Sequence, residues 1–270
     1  MKKVGLTALV LSLSTAFMLS TFGSNQELAS AKSTKTLRIV TDATYAPFEY
    51  MDKGKIVGFD VDIIKAIGKQ AGYSVKVENI GWDPIFVELG NKRADAGISS
   101  ITIDKDRQKT YDFTLPYFLS INEILVPKNS KIKSAKDLKG KVVAVQNATT
   151  GQAYAEKILG KKSKNIKKFE SNALAIMELV NGGADAVVAD NTVVEEYAKN
   201  NPTQKLKVIS DKSNFQPEFY GVMLPKGSKL KPSLDKAIKA IMDNGTYRKI
   251  FKDRFGKEPD MKRLKDEQSK

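Results

Sequence analysis

From residue 37 onward, short apolar runs alternate with longer amphipathic ones. Leu37 to Thr41 is a β-branched run typical of a strand. Turn residues Asp52-Lys53-Gly54, flanked by Phe48 to Tyr50 and Ile56 to Gly58, predict a hairpin-like excursion. Phe59 to Gly72 puts Val61, Ile64, Ile67 and Ala71 on one helical face and ends in a glycine suited to close it. Tyr73 to Asn79 alternates like a strand. Asp83-Pro84 predicts a helix start, with aspartate as N-cap and proline in the first helical position. Ala94 to Ile98 is an apolar strand running out into Ser99 and Ser100. Tyr111 to Val126 holds short extended runs, broken at Pro127-Lys128-Asn129.

The alternation then begins again. A short helix is expected over Ala135 to Leu138 and a strand over Lys141 to Gln146. Asn147 to Gly151 opens a helix through Leu159, and Ile166 to Phe169 is a strand. Ser171 caps a helix closed by Gly182-Gly183. Ala184 to Ala189 is a strand ending at Asp190, followed by a helix to Asn200 and a strand over Leu206 to Ile209. Phe219 to Leu224 predicts a last strand. Leu234, Ala237, Ile238 and Ile241 mark a helix, and Thr246 caps another through Phe255. Glu258 to Lys270 is charged and expected to fray.

Two segments echo each other. Glu88-Leu89-Gly90-Asn91-Lys92-Arg93-Ala94-Asp95-Ala96-Gly97 resembles Glu178-Leu179-Val180-Asn181-Gly182-Gly183-Ala184-Asp185-Ala186-Val187. More loosely, Leu37 to Thr44 echoes Val142 to Thr149. Strands alternating with helices in two similar halves predict two α/β lobes of like design.

Composition narrows the chemistry. The chain has 270 residues, room for two modest domains, and contains neither cysteine nor histidine. Disulfides, thiolate metal sites and a cysteine nucleophile are excluded, and the commonest general base and metal ligand are missing. No metal and no cofactor is expected. The formal net charge is +14, but the lysines are interleaved with acids and no aromatic platform accompanies them, so nucleic acid is not an expected partner. Met1 to Ala31 has the layout of an export signal: Lys2-Lys3, a mostly apolar run from Val4 to Gly23, and small residues at Ala29-Ser30-Ala31. The mature protein is expected outside the cytoplasm.

In open α/β sheets, ligands bind beyond the carboxyl ends of the strands. The polar clusters singled out all lie there: Asp42 and Tyr45, Ser99 to Thr102, Gln146 to Thr150, and Asp190. Thr149 and Thr150 sit at a helix start, where free backbone N–H groups favour an anion. With Arg107 they make a carboxylate site. Asp190, with Asp42, balances a cationic group. A positive and a negative pole in one small cleft describe a zwitterion, a free amino acid. Trp82, the only tryptophan, is either core or a ring facing the ligand.

The order of motifs carries a resemblance: Thr41 to Tyr50 (TDATYAPFEY), Gly58-Phe59-Asp60-Val61-Asp62, Ser99 to Arg107, Asp137-Leu138-Lys139-Gly140-Lys141, and Asn244-Gly245-Thr246-Tyr247. Over about residues 36 to 258 the chain resembles the polar-amino-acid substrate-binding proteins of ABC importers, bacterial extracellular solute-binding proteins of family 3. The resemblance implies a periplasmic-binding-protein fold, two α/β lobes joined by two crossing hinge strands, with the cleft between them. The crossings are expected near Ile121 to Val126 and Phe215 to Gly221. Residues 32–123 would form lobe 1, 124–217 lobe 2, 218–258 the return to lobe 1, and 259–270 the charged tail, after a signal over 1–31.

By the same resemblance, Arg107 holds the ligand α-carboxylate with Thr102, Thr149 and Thr150. Asp190 takes the α-ammonium, helped by the backbone at Ser100. Tyr45 and Trp82 sandwich the ligand side chain, and Asp42 meets its distal end with Ser99 and Gln146 nearby. The Ser99-Ser100 pair and Asp42 look like arginine/lysine binders; glutamine binders also carry this aspartate. The implied function is capture of a polar, basic amino acid by a monomer that delivers it to the importer's permease subunits. Monoderm members carry a lipid-modified cysteine after the signal; Phe22 stands in that place, so a soluble periplasmic, surface or secreted protein is expected. Two other classes stay open. One is a cyclohexadienyl (arogenate/prephenate) dehydratase-like enzyme, with Glu123, Glu218 and Asp42 as candidate acids. The other is a receptor-input module.

Overall fold

The computed structural model describes residues 34–270. The export segment expected over residues 1–31 lies outside the described residues.

A five-stranded and a six-stranded sheet share one plan over a path of five strands, the sixth, Pro217–Tyr220, pairing at the side of Phe118–Pro127. The first runs in the order Ser74–Asn79, Thr36–Thr41, Ala96–Gly97, Met223–Pro225, Tyr111–Phe113. Its first three strands are parallel, and Met223–Pro225 is antiparallel to both neighbours. The second runs Ile166–Phe169, Val143–Gln146, Ala186–Asp190, Phe118–Pro127, Leu206–Ile209, again with three parallel strands and a fourth antiparallel to both neighbours. A small antiparallel sheet of Thr44–Tyr45, Glu49–Asp52 and Lys55–Val57 forms the expected excursion.

Period-two alternation divides the core of the second lobe. Ile124, Val126, Val143, Val145 and Val188 face one layer; Leu125, Ala144 and Val187 face the other. In the first lobe the two layers are unlike. One is aromatic, with Phe48, Phe59, Phe118, Tyr220, Tyr247 and Phe251 packed mostly edge to face, and Phe118 stacked on Tyr220 and Phe251. The other joins Val40, Ile85, Leu89, Ile101, Phe113 and Met223 with Trp82.

The echo in the sequence is an echo in hydrogen bonding. The Arg38 amide donates to Asp95 Oδ2 at 2.8 Å, and the Val142 amide to Asp185 Oδ2 at 2.8 Å. Each aspartate amide in turn donates to the carbonyl of the same partner, Arg38 or Val142. The preceding nine-residue helices, Trp82–Gly90 and Asn172–Val180, both close through a left-handed residue, Lys92 and Gly182. The repeat positions the strand ends Gly97 and Asp190, and the site grows from those ends.

Several boundaries differ from expectation. The inter-lobe ribbon pairs Phe118 to Ile121 with Pro217–Tyr220. Ile124 to Val126, expected within the crossing, pair instead inside the second sheet, because one strand runs unbroken through both. Phe219 to Leu224 is two strands, not one. Tyr220 pairs in the ribbon and Met223 in the first sheet; between them the Gly221 amide donates to Ile101 O at 3.1 Å, and a Cβ there would stand 2.8 Å from Ile103. Gly81, not Asp83, is the N-cap residue of its helix; Asp83 contributes charge to the first turn instead. Gly245, not Thr246, precedes helix Thr246–Phe255 as its N-cap residue. The tail is not frayed: Asp260 caps a helix, Met261–Gln268, that buries Leu264 against the aromatic core.

Candidate functional site

The parallel strands of both lobes end at one cleft. Its cavity is lined by Asp42, Tyr45, Trp82, Ser99, Ser100, Thr102, Arg107, Gln146, Thr149, Thr150 and Asp190. These are the eleven residues singled out from the sequence; the structure brings all of them together.

Arg107 opens the short helix Arg107–Thr110. Asp104 holds it in place, accepting from the Arg107 amide at 2.9 Å and lying 3.2 Å from Nε. Nη1 donates to Thr102 O at 2.9 Å, and Nη2 reaches the opposite lobe to donate to Ala148 O at 3.0 Å. One N–H on each terminal nitrogen is left for a further acceptor. The guanidinium carbon stands 5.6 Å from the ring centroids of both Trp82 and Phe86. Trp82 packs in the core layer and also lines the cavity. Burial draws the Arg107 pKa below its ordinary value, opposed by Asp104, Glu218 and Asp190.

Across the cleft, Thr149 caps helix Thr150–Leu159, accepting from the Gln152 amide at 3.2 Å and donating to Gln146 O at 2.8 Å. The helix start packs tightly: a Cβ on Gly151 would lie 2.5 Å from Val188 O. Such a start offers backbone N–H groups and a positive dipole end to an anion.

The acidic side has two centres. Asp190 is buried, and its Oδ2 accepts the Tyr45 hydroxyl at 2.5 Å. Burial raises its pKa, while Tyr45, Tyr220 and Arg107 pull the other way. Asp42 accepts from Thr44 Oγ1 at 3.0 Å and, across the cleft, from Gln146 Nε2 at 3.2 Å. Gln146 is itself oriented by Asn172 and by Glu170 O. Burial raises the Asp42 pKa as well, with Glu170 and Asp83 adding in the same direction. Among the described residues neither Asp42 nor Asp190 has a salt-bridge partner.

A second row of groups stands behind the lining. Ser99 Oγ donates to Glu49 Oε1 at 2.8 Å and accepts from the Asp42 amide at 3.1 Å, so it orients Asp42. Ser100 is held at a positive φ of 51° while its amide donates to Asp60 Oδ2 at 2.7 Å. Tyr117 donates to the same oxygen at 2.8 Å. Burial pushes the Asp60 pKa to about 6 and that of Glu49 well above the usual range, helped for Glu49 by Asp60. On the hinge, Glu218 accepts from Thr102 and Thr150 on Oε2 and from Asn122 on Oε1. Sequence reasoning did not find these positioning roles for Glu49, Asp60, Phe86 and Asn122, and named Glu218 only as a candidate acid. The available signal was a carboxylate set among aromatic residues, as in Phe48-Glu49-Tyr50 and Gly58-Phe59-Asp60.

The arrangement can hold a carboxylate at one wall and cationic groups at the other. Known proteins resemble the chain over most of its length. A chain 36% identical over 239 residues, covering 87% of this chain and 89% of its own length, is the "Probable histidine-binding protein" of Neisseria gonorrhoeae. The arginine-binding extracellular protein ArtP of Bacillus subtilis (strain 168) is 32% identical, with 88% and 93% covered. Among solved structures, the arginine-, lysine-, histidine-binding protein ArtJ of Geobacillus stearothermophilus superposes with a TM-score of 0.84 at 55% identity, covering 86% of this chain and 100% of its own. The family model for bacterial extracellular solute-binding proteins, family 3, matches residues 37–257. The chain belongs to that family.

Proposed function

We propose that this protein captures a basic amino acid, arginine or lysine, outside the cytoplasm and delivers it as a monomer to the permease of an ABC importer. The observation that carries this reading is the charge of the cavity lining. Arg107 is its one cation, whereas Asp42 and Asp190 are two buried carboxylates without a salt-bridge partner among the described residues. A buried carboxylate left uncompensated is costly. The complement is a ligand with one carboxylate and two cationic groups, so the lining's net negative charge matches a basic amino acid better than a neutral one. Arg107 with the helix start at Thr150 would take the α-carboxylate, Asp190 the α-ammonium, and Asp42 the side-chain cation. Tyr45 and Trp82 would flank the stem.

The names of the relatives, which include arginine and histidine binders, support the same class of ligand. Glutamine is the second reading, because an ancestral arginine-binding protein 40% identical to this chain is described bound to glutamine. Family membership favours a binding role over a catalytic one. We take residues 32–123 with 218–258 as one lobe, 124–217 as the other, and 1–31 as an export signal. Calorimetric titration with the twenty amino acids tests the assignment. Tightest binding of arginine or lysine is expected; binding of neutral or acidic amino acids alone would overturn it.

A further inference from the structure

Glu218 is an unusual neighbour for a carboxylate-binding wall. It sits on the hinge strand Pro217–Tyr220 and is 8% exposed. Its Oε2 accepts from Thr102 Oγ1 at 2.9 Å and from Thr150 Oγ1 at 2.8 Å, one hydroxyl from each lobe, while Asn122 Nδ2 donates to Oε1 at 2.8 Å. Thr102 and Thr150 also line the cavity. A hydroxyl has one hydrogen. While Glu218 is ionised, both threonines spend that hydrogen on Oε2; Thr150 Oγ1 also accepts from Asn122 Nδ2 at 3.1 Å, so each hydroxyl has only lone pairs left for the cavity, the wrong polarity for a ligand carboxylate.

Resting on the reading of this cavity as an amino-acid site, we infer that Glu218 takes up a proton from solvent as the ligand carboxylate binds. The proton on Oε2 donates to one threonine oxygen. That threonine's own hydrogen is released to point at the ligand, and two carboxylates no longer face each other across a single hydroxyl. Glu218 is thereby a positioning residue acting through Thr102 and Thr150.

The surroundings agree. The charged and titratable groups facing Glu218 are Asp190, Arg107, Tyr45 and Tyr154. Both tyrosines are pushed above their ordinary range, chiefly by burial, and stay neutral. Arg107 is the one cation of this set among the described residues, and an incoming carboxylate would engage it. Burial, reinforced by Asp190, raises the Glu218 pKa to about 7, so the free site is poised to take up the proton near neutrality. The chain has no histidine to mask this.

The test is calorimetric titration of L-arginine into the full protein at pH 8, in buffers of different ionisation enthalpy. Uptake approaching one proton per ligand is expected, with Kd rising about tenfold from pH 6 to pH 8. Asp190 would release rather than absorb a proton on meeting the ligand ammonium, so Glu218 accounts for the difference between wild type and Glu218→Gln. In that variant the uptake disappears and the pH slope flattens to under twofold. An unchanged slope in Glu218→Gln, or binding by wild type without proton uptake, overturns the inference and leaves the site assignment standing. Should the variant not fold, infrared difference spectra of the wild type labelled with 13C-glutamate decide. A glutamic-acid C=O band must grow in with ligand at pH 8, and its absence refutes the proton. No binding of any amino acid at any pH would instead retire the assignment of the site itself.

Discussion

The Tyr45 hydroxyl donates to Asp190 Oδ2 at 2.5 Å, joining residues 145 apart in sequence and standing on different lobes. The bond ties the small excursion sheet that carries Tyr45 to the strand end at Asp190, so it bridges the cleft.

Tyr45→Phe removes that latch and keeps the ring. A hydrogen bond to a charged group contributes about 1.5–3 kcal/mol, so affinity for L-arginine should fall roughly tenfold or more. Stopped-flow kinetics should place most of the loss in faster dissociation. A variant that slows association and leaves the dissociation rate alone would contradict this.

Arg107→Ala is expected to abolish binding of every amino acid, because the cavity loses the one cation that lines it among the described residues, along with the bond from Nη2 to Ala148 O. Asp42→Asn should discriminate. It keeps the size of the side chain and one acceptor oxygen for Gln146 Nε2, turns its NH2 toward Thr44, whose hydroxyl can rotate to accept, and removes the charge, so arginine should weaken by about 1.5–3 kcal/mol and glutamine much less. Equal losses for both ligands, measured by calorimetry, would remove Asp42 from the side-chain end of the site.

Stability should fall as pH rises from 5 to 7.5. Asp60 has its pKa raised from the ordinary 3.8 to about 6, chiefly by burial. The native state therefore holds this proton more tightly than the unfolded chain does. The stabilisation is fully present below the unfolded value and is lost as pH climbs through the native one. A shift of about two units corresponds to roughly 3 kcal/mol in all, about half of it lost between pH 5 and pH 7.5. Glu49 and Glu218 are shifted the same way. Surface acids with lowered pKa values, such as Glu78 beside Lys76 and Arg38, act oppositely but finish titrating at lower pH. With no histidine in the chain, no imidazole titrates in this window. Urea denaturation at the two pH values should show the slope in wild type and a shallower one in Asp60→Asn. Parallel slopes would mean that the buried acid is not its source.

Leu264→Asp should destabilise the protein by about 2 kcal/mol or more, since Leu264 is 2% exposed in the aromatic core cluster. Thermal unfolding measures it; a melting temperature within a degree of wild type would indicate that helix Met261–Gln268 adds nothing.

That helix also shows where sequence reading stopped. Strand ends were legible because β-branched runs such as Val143–Gln146 and Ala186–Asp190 break abruptly into polar residues, and those polar residues are the lining. Glu258 to Lys270 offered only Leu264 and Met261 as apolar anchors among charges, too few for a periodic signal. The groove that receives Leu264 is built from distant residues such as Phe118 and Met242. Glu49 and Asp60 were illegible for a related reason. A carboxylate in a sequence carries no mark of burial, and their partners Ser99, Ser100 and Tyr117 lie 40 to 57 residues away. Gly221 divided an expected strand because Tyr220 and Met223 belong to different sheets, which no local alternation encodes.

The docked carboxy-terminal helix carries a practical consequence. Gln268 Nε2 donates to Pro116 O at 2.7 Å, just before the ribbon, and Arg263 shares a groove with Leu119, Ile121 and Pro217 of the ribbon itself. A dye, tag or surface tether fixed to Lys270 would therefore load the pivot and alter the motion it was meant to report. Fluorophores at the exposed Lys53 and Lys161, one on each lobe, would leave the pivot unburdened and turn the molecule into an optical sensor for its own cargo.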